Sequence, residues 1–438
     1  MLSREDNQLL SQIGPGTPGG EMMRRYLHPV ALAKEMPVGC APKPVRLLGE
    51  DLVLFRTKRG ELGLMDLHCP HRGTDLSFGR VEADGLRCLY HGWKMGIDGR
   101  CLDQPGEPKG STFKDKFRHP AYPCVEAGAL IMTYMGPGAP PPLPKLPIFE
   151  APPSHVWASK LFHECSYLNG SEGEVDSQHL SFLHRIASAD VALDEFQAES
   201  DALFGTDVAP GIDFDHTDYG LRMFATRRMG DGKKYVRVTN FIMPYTLAFD
   251  GGPLFDPKKV RPRMNIGHWM HLHVPIDDVR HWKYIVAYCY DRPLEEDFLH
   301  GMIESEFTPD YMPKRNWTNR YMQDRSEMDR LTFLGMGYNF EVHDLFATES
   351  QRPISDRTKE HLGASDRGVT AMRRLLLDAI KTVGQGKAPI MTTTDPAVNH
   401  FAEMVVVSDT VDDAVDERRV WSDFLARHNP VKVPVGAK

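Results

Sequence analysis

The sequence predicts an α+β protein in two unequal parts, all-β before a proline-rich break and mixed α+β after it. Three observations carry this. The break itself is Gly136-Pro-Gly-Ala-Pro-Pro-Pro-Leu-Pro-Lys-Leu-Pro147, too rich in proline for a helix and suited to an extended, semi-rigid linker. Before it come short apolar runs separated by turn residues. After it the runs lengthen and a helical period emerges. The expected division is an N-terminal arm over 1–22, a β domain over 23–150 that includes the linker 136–147, and a larger domain over 151–438.

In the arm, Ser3 followed by Asp6 resembles a capping box for a short helix. In the β domain, Val45–Leu48 and Leu52–Phe55 flank a turn at Gly49-Glu50-Asp51, and Leu62–Leu67 follows Lys58-Arg59-Gly60. Trp93–Ile97 and Arg100–Leu102 flank Asp98-Gly99, a two-residue hairpin signal. Leu130–Tyr134 closes the set, which suggests a small barrel or sandwich. Beyond the linker, Tyr235–Ile242 and Tyr284–Tyr290 read as strands and Leu294–Phe307 as helix. Arg367–Val383 is the strongest helix: its apolar residues step by three and one, Ser365 can cap it and Gly384 ends it.

Composition narrows the function classes. The chain has 438 residues, 41% hydrophobic and 26% charged, which is ordinary for a globular protein. No apolar run reaches the ~18 residues of a membrane span. The formal net charge is −8, with no basic run, so nucleic acid and anionic membrane are poor partners. The seven cysteines are odd in number, and the charged N-terminus does not read as an export signal. The expected setting is a reducing cytoplasm without a disulfide framework, where cysteines spaced with histidines read as metal ligands.

Two constellations qualify. Cys69-Pro-His71-Arg-Gly and Cys88-Leu-Tyr-His91-Gly-Trp, with sixteen residues between His71 and Cys88, supply two thiolates and two imidazoles on loops between short strands. Such a set builds either a tetrahedral zinc site or a [2Fe–2S] cluster with mixed sulfur and nitrogen ligation. Gly73 and Gly92 suit tight turns that aim backbone N–H groups at sulfur. The second constellation is Asp176-Ser-Gln-His179-Leu-Ser-Phe-Leu-His184. Two imidazoles and a carboxylate suit an open-sided mononuclear iron. On an ideal helix His179 and His184 would sit about 140° apart, so they meet only if the helix breaks. Asp176 and His179 share a face, which keeps Asp176 open as a ligand on spacing alone.

The first constellation resembles the Rieske signature, and the two in order resemble the Rieske non-haem iron oxygenases over most of the chain. The resemblance implies a Rieske [2Fe–2S] cluster on Cys69, His71, Cys88 and His91. It implies a C-terminal catalytic domain with an antiparallel sheet flanked by helices, and a mononuclear Fe(II) on His179 and His184. Asp176 becomes a bridge to a cluster histidine of a neighbouring subunit rather than a ligand. Phe340-Glu-Val-His-Asp344-Leu-Phe-Ala-Thr-Glu349 resembles the late segment that supplies the third ligand, which picks Asp344 over Glu349 and Glu341. His343 departs from the acidic or amide residue usual before that Asp.

The opening Gly14-Pro-Gly-Thr-Pro-Gly-Gly20, the length and Asp356-Arg-Thr-Lys-Glu-His361 look like the phthalate dioxygenase branch, which includes isophthalate and chlorobenzoate dioxygenases. That implies O2-dependent dihydroxylation of an aromatic carboxylate, electrons from a separate flavin/iron–sulfur reductase, and a homo-oligomer, a trimer or a stacked hexamer. An arginine is then expected to grip the carboxylate. Arg237 comes first, because strand alternation puts it on one face with Tyr235, Thr239 and Phe241; Arg222 and Arg185 follow. An O-demethylating or hydroxylating monooxygenase is the alternative, and a non-enzymatic Rieske electron carrier the alternative of another class. Leu180 and Phe182, beside the histidines, read as core packing first and as lining of a ring pocket second. Gly14-x-Gly16-x-x-Gly19 matches a dinucleotide fingerprint, but no strand precedes it and prolines interrupt it, so no nicotinamide or flavin site is expected.

Overall fold

The computed structural model describes residues 1–185, 204–250, 267–289, 293–393, 395, 398–399, 401 and 403–427. The N-terminal third is built from short antiparallel strands. Leu27–Leu32, Leu130–Tyr134 and Cys124–Ala127 make one sheet; Lys43–Leu47, Glu50–Arg56, Leu62–Asp66 and Ala121–Tyr122 make a second. Arg80–Val81, Leu86–Arg87, Lys94–Met95 and Cys101–Asp103 make a third. Their inward residues, among them Val53, Phe55, Met65, Leu76, Leu86 and Met95, form a core that also encloses Cys69 and Cys88.

Two turns differ from expectation. Lys43–Leu47 and Glu50–Arg56 pair with Leu47 opposite Glu50, so the turn is Leu48-Gly49, both at positive φ, one position earlier than the turn residues suggested. It docks on the larger domain, where the Leu48 and Gly49 N–H groups donate to the Pro275 and Ile276 carbonyls. That contact fixes the turn's place. At Asp98-Gly99 the Gly96 N–H donates to the Arg100 carbonyl at 2.9 Å, leaving a three-residue loop rather than a two-residue one. Gly99 takes φ +78°, and a Cβ there would collide with the His119 carbonyl; a Gly at the left-handed position is what three-residue hairpins require.

Beyond the linker, one antiparallel sheet of eight strands runs in the order Val156–His163, Arg280–Cys289, Gly267–Asp277, Thr246–Asp250, Lys233–Ile242, Gly220–Gly230 and Gly211–His216, with Val407–Asp412 also paired to Lys233–Ile242. The strand expected over Tyr284–Tyr290 is Arg280–Cys289; Tyr290 lies outside the described residues. Along Lys233–Ile242, Val236 and Val238 pack with Val420 and Phe424 of the helix Glu417–Arg427. Phe241, on the other face, joins the main core with Tyr167, Leu168 and Val175. The alternation expected from the sequence therefore turns Tyr235, Arg237, Thr239 and Phe241 toward the helix Tyr167–Val175.

The long helix is Arg367–Gly384, but its start is not capped by Ser365. The Ser365 hydroxyl donates instead to Gln178 Oε1 at 2.6 Å, which ties this helix to the segment carrying Asp176 and His179. The helix expected over Leu294–Phe307 is Glu296–Ile303 followed by a 3-10 turn at Glu304–Glu306.

The arm does belong to a helix start: Ser3 Oγ accepts from the Asp6 N–H at 2.9 Å and opens Arg4–Ser11. The arm and the larger domain are joined by buried polar contacts. Arg357 donates to both carboxylate oxygens of Glu172 and to Asn7 and Asn169. Tyr167 Oη donates to the Leu10 carbonyl at 2.9 Å. No helix among the described residues is long and apolar enough to cross a membrane.

Candidate functional site

The four residues of the first constellation sit at the tips of two similar loops. The Cys69 N–H donates to the Thr74 carbonyl and the Gly73 N–H back to the Cys69 carbonyl, both at 2.8 Å. In the second loop the Cys88 N–H donates to the Trp93 carbonyl and the Gly92 N–H to the Cys88 carbonyl. Gly73 and Gly92 both take φ +75°, a conformation glycine adopts without strain. Each loop therefore wraps its cysteine and lifts its histidine. Both sulfurs are buried, His71 and His91 are exposed, and the two rings stand 4.5 Å apart, edge to face. The His71 ring lies flat on Trp93. Burial pushes the Cys69 thiol up to about 11, although the His71 and Arg72 amides donate to its sulfur. Two sulfurs in a dry, donor-lined pocket below two imidazoles fit a cluster with cysteines on one iron and histidines on the other.

The second constellation is brought together by a broken helix. Tyr167–Val175 ends at Val175, and Asp176 Oδ1 accepts the Gln178 N–H at 2.7 Å. A 3-10 turn at His179–Ser181 follows. The break brings the His179 and His184 rings to 5.2 Å. The helix Phe340–Glu349, capped by Asn339, adds Asp344. One ligand atom from each of His179, His184 and Asp344 lies within 4.8 Å of the others. Asp344 Oδ1 is 3.2 Å from His184 Nε2 and 3.9 Å from His179 Nε2. Asp176 is outside that group; its Oδ2 is 3.9 Å from the opposite nitrogen, His179 Nδ1. Burial and the neighbouring His184 lower the His179 pKa, which favours the neutral ring that binds a metal. Two imidazoles and one carboxylate with partial access to solvent fit Fe(II) with open positions.

Asp344 is held from behind. Lys283, with no exposed surface, sits 2.6 Å from Glu174, 2.8 Å from Glu341 and 3.4 Å from Asp344 Oδ2. His271 Nδ1 is 2.7 Å from Glu174. Burial opposes ionisation of Asp344, but Lys283 and His184 outweigh it and hold the carboxyl well below its usual range. Burial likewise opposes the Lys283 charge, and the three carboxylates outweigh it and raise its pKa. Lys283 thus occupies one oxygen of Asp344 and leaves the other facing the histidines.

The rivals for the third ligand are engaged elsewhere. Glu349 accepts from Tyr321 Oη at 2.6 Å and from the Glu164 N–H at 2.7 Å, and Glu341 pairs with Lys283. His343 stands behind His184, with Nδ1 of each ring 3.2 Å apart and His343 Nε2 2.8 Å from the Gly337 carbonyl. Phe182 is exposed and meets Phe333 edge to face, so it is not the core residue expected.

Of the three arginines, Arg237 Nε is 3.1 Å from Asp250. Arg222 is paired with Glu403 and stacked on Trp421, and Arg185 is exposed at the end of the histidine segment. A fourth was missed. Arg227 is fully buried and donates to the Ser177 carbonyl and hydroxyl. Among the described residues no carboxylate lies within ion-pairing distance of it, and its Nε has no partner. Burial, then Arg237, lower its pKa to about 10. Its place opposite Tyr235 on the neighbouring strand is a pairing no sequence spacing announces.

Residues 27–123 match the Rieske [2Fe-2S] domain and residues 133–431 the family described as LigXa C-terminal domain like. The chain is 35% identical to the phthalate 4,5-dioxygenase oxygenase subunit of Pseudomonas putida, over 98% of this chain and 96% of that one. It is 33% identical to the 5,5'-dehydrodivanillate O-demethylase oxygenase subunit of Sphingobium sp., over 91% and 85%. It is 31% identical to the 3-chlorobenzoate-3,4-dioxygenase oxygenase subunit of Comamonas testosteroni, over 87% and 89%. Among solved structures, the reduced oxygenase–ferredoxin complex of carbazole 1,9a-dioxygenase shares the fold, with a TM-score of 0.54 at 20% identity, covering 85% of this chain and 93% of that one. The terminal oxygenase of carbazole 1,9a-dioxygenase from Novosphingobium sp. KA1 gives 0.53 at 20%, covering 82% and 94%.

Proposed function

The chain belongs to the Rieske non-haem iron oxygenases, and from that premise we propose that it is a terminal oxygenase that dihydroxylates an aromatic carboxylate, a phthalate or substituted benzoate. Cys69, His71, Cys88 and His91 would hold the [2Fe–2S] cluster, and His179, His184 and Asp344 the mononuclear iron. When bound, the cluster supplies single electrons from a separate reductase and the iron supplies O2 activation.

The chain's own residues do the rest. The exposed edges of His71 and His91 meet another protein surface, the reductase or a neighbouring subunit. Asp176 faces the outer nitrogen of His179 and bridges it to His91 of the next subunit in a head-to-tail ring, a trimer or a stacked pair of trimers. Lys283 keeps Asp344 ionised. Arg237 takes the substrate carboxylate, beside Arg227, which touches the histidine segment at Ser177; Arg222 and Arg185 are the lesser choices. The observation that carries this reading is the meeting of His179, His184 and Asp344 within 4.8 Å, which a bare electron carrier has no use for.

Product analysis with phthalates, chlorobenzoates and methoxybenzoates, using a surrogate reductase, tests it. A cis-dihydrodiol from a carboxylated ring is the expected result. Loss of a methyl group from a methoxybenzoate, with no dihydrodiol from any substrate, would make this an O-demethylase, the activity named for the Sphingobium relative. Arg237→Ala is expected to lower kcat/KM by about two to three orders of magnitude, because the carboxylate would be left buried and unpaired. An unchanged value there, with loss in Arg227→Ala, would move the role to Arg227.

A further inference from the structure

Behind the iron residues, on the far side of Glu174, lies another set of metal-binding side chains. The strand Val156–His163 ends on His163, and Cys165 follows two residues later, just before the helix Tyr167–Val175. His273 and His281 are diagonal neighbours across the adjoining hairpin, where Pro275 is opposite His281. All four side chains are buried. His163, Cys165 and His281 each place a ligand atom within 4.8 Å of the others, and His273 Nδ1 is 2.9 Å from His281 Nε2.

Two details point to a ligand rather than to plain packing. Neither nitrogen of His163 has a hydrogen-bond partner, although the ring is 1% exposed. A buried polar group left so costs about 1–3 kcal/mol and calls for an explanation. The outer nitrogen of His281, by contrast, is directed as in metal sites: its Nδ1 is 2.7 Å from the Cys165 carbonyl. His273 Nε2 stands 3.5 Å from Glu174 without a hydrogen bond. A ring whose outer N–H donates to a carbonyl or carboxylate turns its other nitrogen inward as a ligand. Gly170 keeps the meeting point open: a Cβ there would collide with His273 and sit 2.8 Å from His281 Nε2.

We propose that His163, Cys165, His273 and His281 form a buried zinc-type metal site, separate from both iron sites. One thiolate and three imidazoles are a borderline-soft, four-donor set suited to tetrahedral Zn2+. Ligand nitrogens at ~2.05 Å from a tetrahedral metal are ~3.3 Å apart, so His273 and His281 need move only slightly. Zn2+ replaces the Cys165 thiol proton, so loading releases one proton per chain. Of the site's net single positive charge, Glu174 lies one ring away. The site would clip the end of the strand Val156–His163 to the hairpin and anchor the root of the helix that delivers Asp176 and His179. With no metal, a hydrogen bond joins the inward nitrogens of His273 and His281 and leaves both nitrogens of His163 without a partner.

Zinc-edge X-ray absorption and metal analysis of the holoprotein, purified and then supplied with Zn2+, test this. The expected result is one zinc per chain beside a full complement of iron, with a single sulfur neighbour at about 2.3 Å. Zinc misplaced on His179, His184 and Asp344 would show no sulfur, and zinc replacing the cluster would show two. Cys165→Ala and His163→Gln should each lose the one-sulfur signal while Rieske absorption and mononuclear iron are kept, and Cys40→Ala should retain it. Should neither variant fold, the wild-type spectrum still decides. Absence of one-sulfur zinc in the wild-type protein, or its persistence in Cys165→Ala, overturns the proposal.

Discussion

The two iron-type sites solve opposite electrostatic problems. The cluster loops bury their sulfurs and expose their imidazoles at a protein tip, and their tight turns supply backbone donors within 23 residues of chain. The mononuclear site is set over an interior of charge: Lys283, Glu174, Glu341 and Asp344 are joined by contacts of 2.6–3.4 Å. The difference teaches that a site meant to exchange electrons with other surfaces can be local and exposed. A site that must keep one carboxylate ionised beside two histidines needs a buried counter-charge, and that comes from distant parts of the chain.

The largest expected effect tests whether the two sites are independent. His184→Ala or Asp344→Ala should abolish product formation and leave the Rieske absorption and reduced-state EPR signal intact. Cys69→Ser should do the reverse, losing the cluster while mononuclear iron is still measured. Loss of both metals in every variant would show one cooperative site rather than two.

Next is the buried charge. Lys283→Met leaves three carboxylates without their cation, and breaking such a pair costs roughly 3–5 kcal/mol. Urea denaturation should show that loss, together with weaker retention of the mononuclear iron. Unchanged stability would mean that the carboxylates take up protons at little cost, and the contrast drawn with the cluster loops would fail.

Asp176→Asn tests the link between the two regions. Both irons and the oligomer should be retained and a reductant should still reduce the cluster. Product formation should fall roughly tenfold to a hundredfold, as for other groups that orient a metal ligand. Fast single-turnover oxidation of the cluster in this variant, with iron retained, would remove Asp176 from the electron path. Loss of iron in proportion to activity would make it a ligand.

The smallest effect lies at the seam. His28, on the first strand, is buried with Nδ1 2.6 Å from Tyr245 Oη of the larger domain and Nε2 2.8 Å from the Met23 carbonyl. Burial lowers its pKa from 6.5 to about 4. The fold therefore favours the neutral ring. Its contribution is full above pH 6.5 and is lost as pH falls toward 4, about 3 kcal/mol over that window. Stability measured at pH 7 and pH 5 should drop more in the wild-type protein than in His28→Gln. Equal drops would place the acid sensitivity elsewhere.

Much of this was legible beforehand. The cluster residues stand within one stretch and their loops close through backbone bonds between near neighbours, so spacing alone located them. The strand Leu130–Tyr134 and the helix from Arg367 followed from periodicity, which is local. A break between His179 and His184 was required if the two were to meet, given their five-residue step; the α-helix in fact ends earlier, at Val175, and a 3-10 turn carries His179. What stayed hidden depended on contacts between distant residues. Ser365 was read as a cap because that role is local, yet its hydroxyl is taken by Gln178, 187 positions away. Phe182 was read as core because apolar residues usually are.

By itself, then, the sequence located the four cluster candidates, the histidine pair and the face on which Arg237 lies, because each follows from covalent spacing and the periods of strand and helix; Asp344 came only from the resemblance of its segment to the family's. Only the tertiary structure decided that Asp250 pairs with the Nε of Arg237, that Arg227 is a buried cation with no carboxylate within ion-pairing distance among the described residues, and that Lys283 holds Asp344. The charge state of a buried group is set by whichever groups replace its water, and in this fold those groups come from strands and helices far apart in the chain.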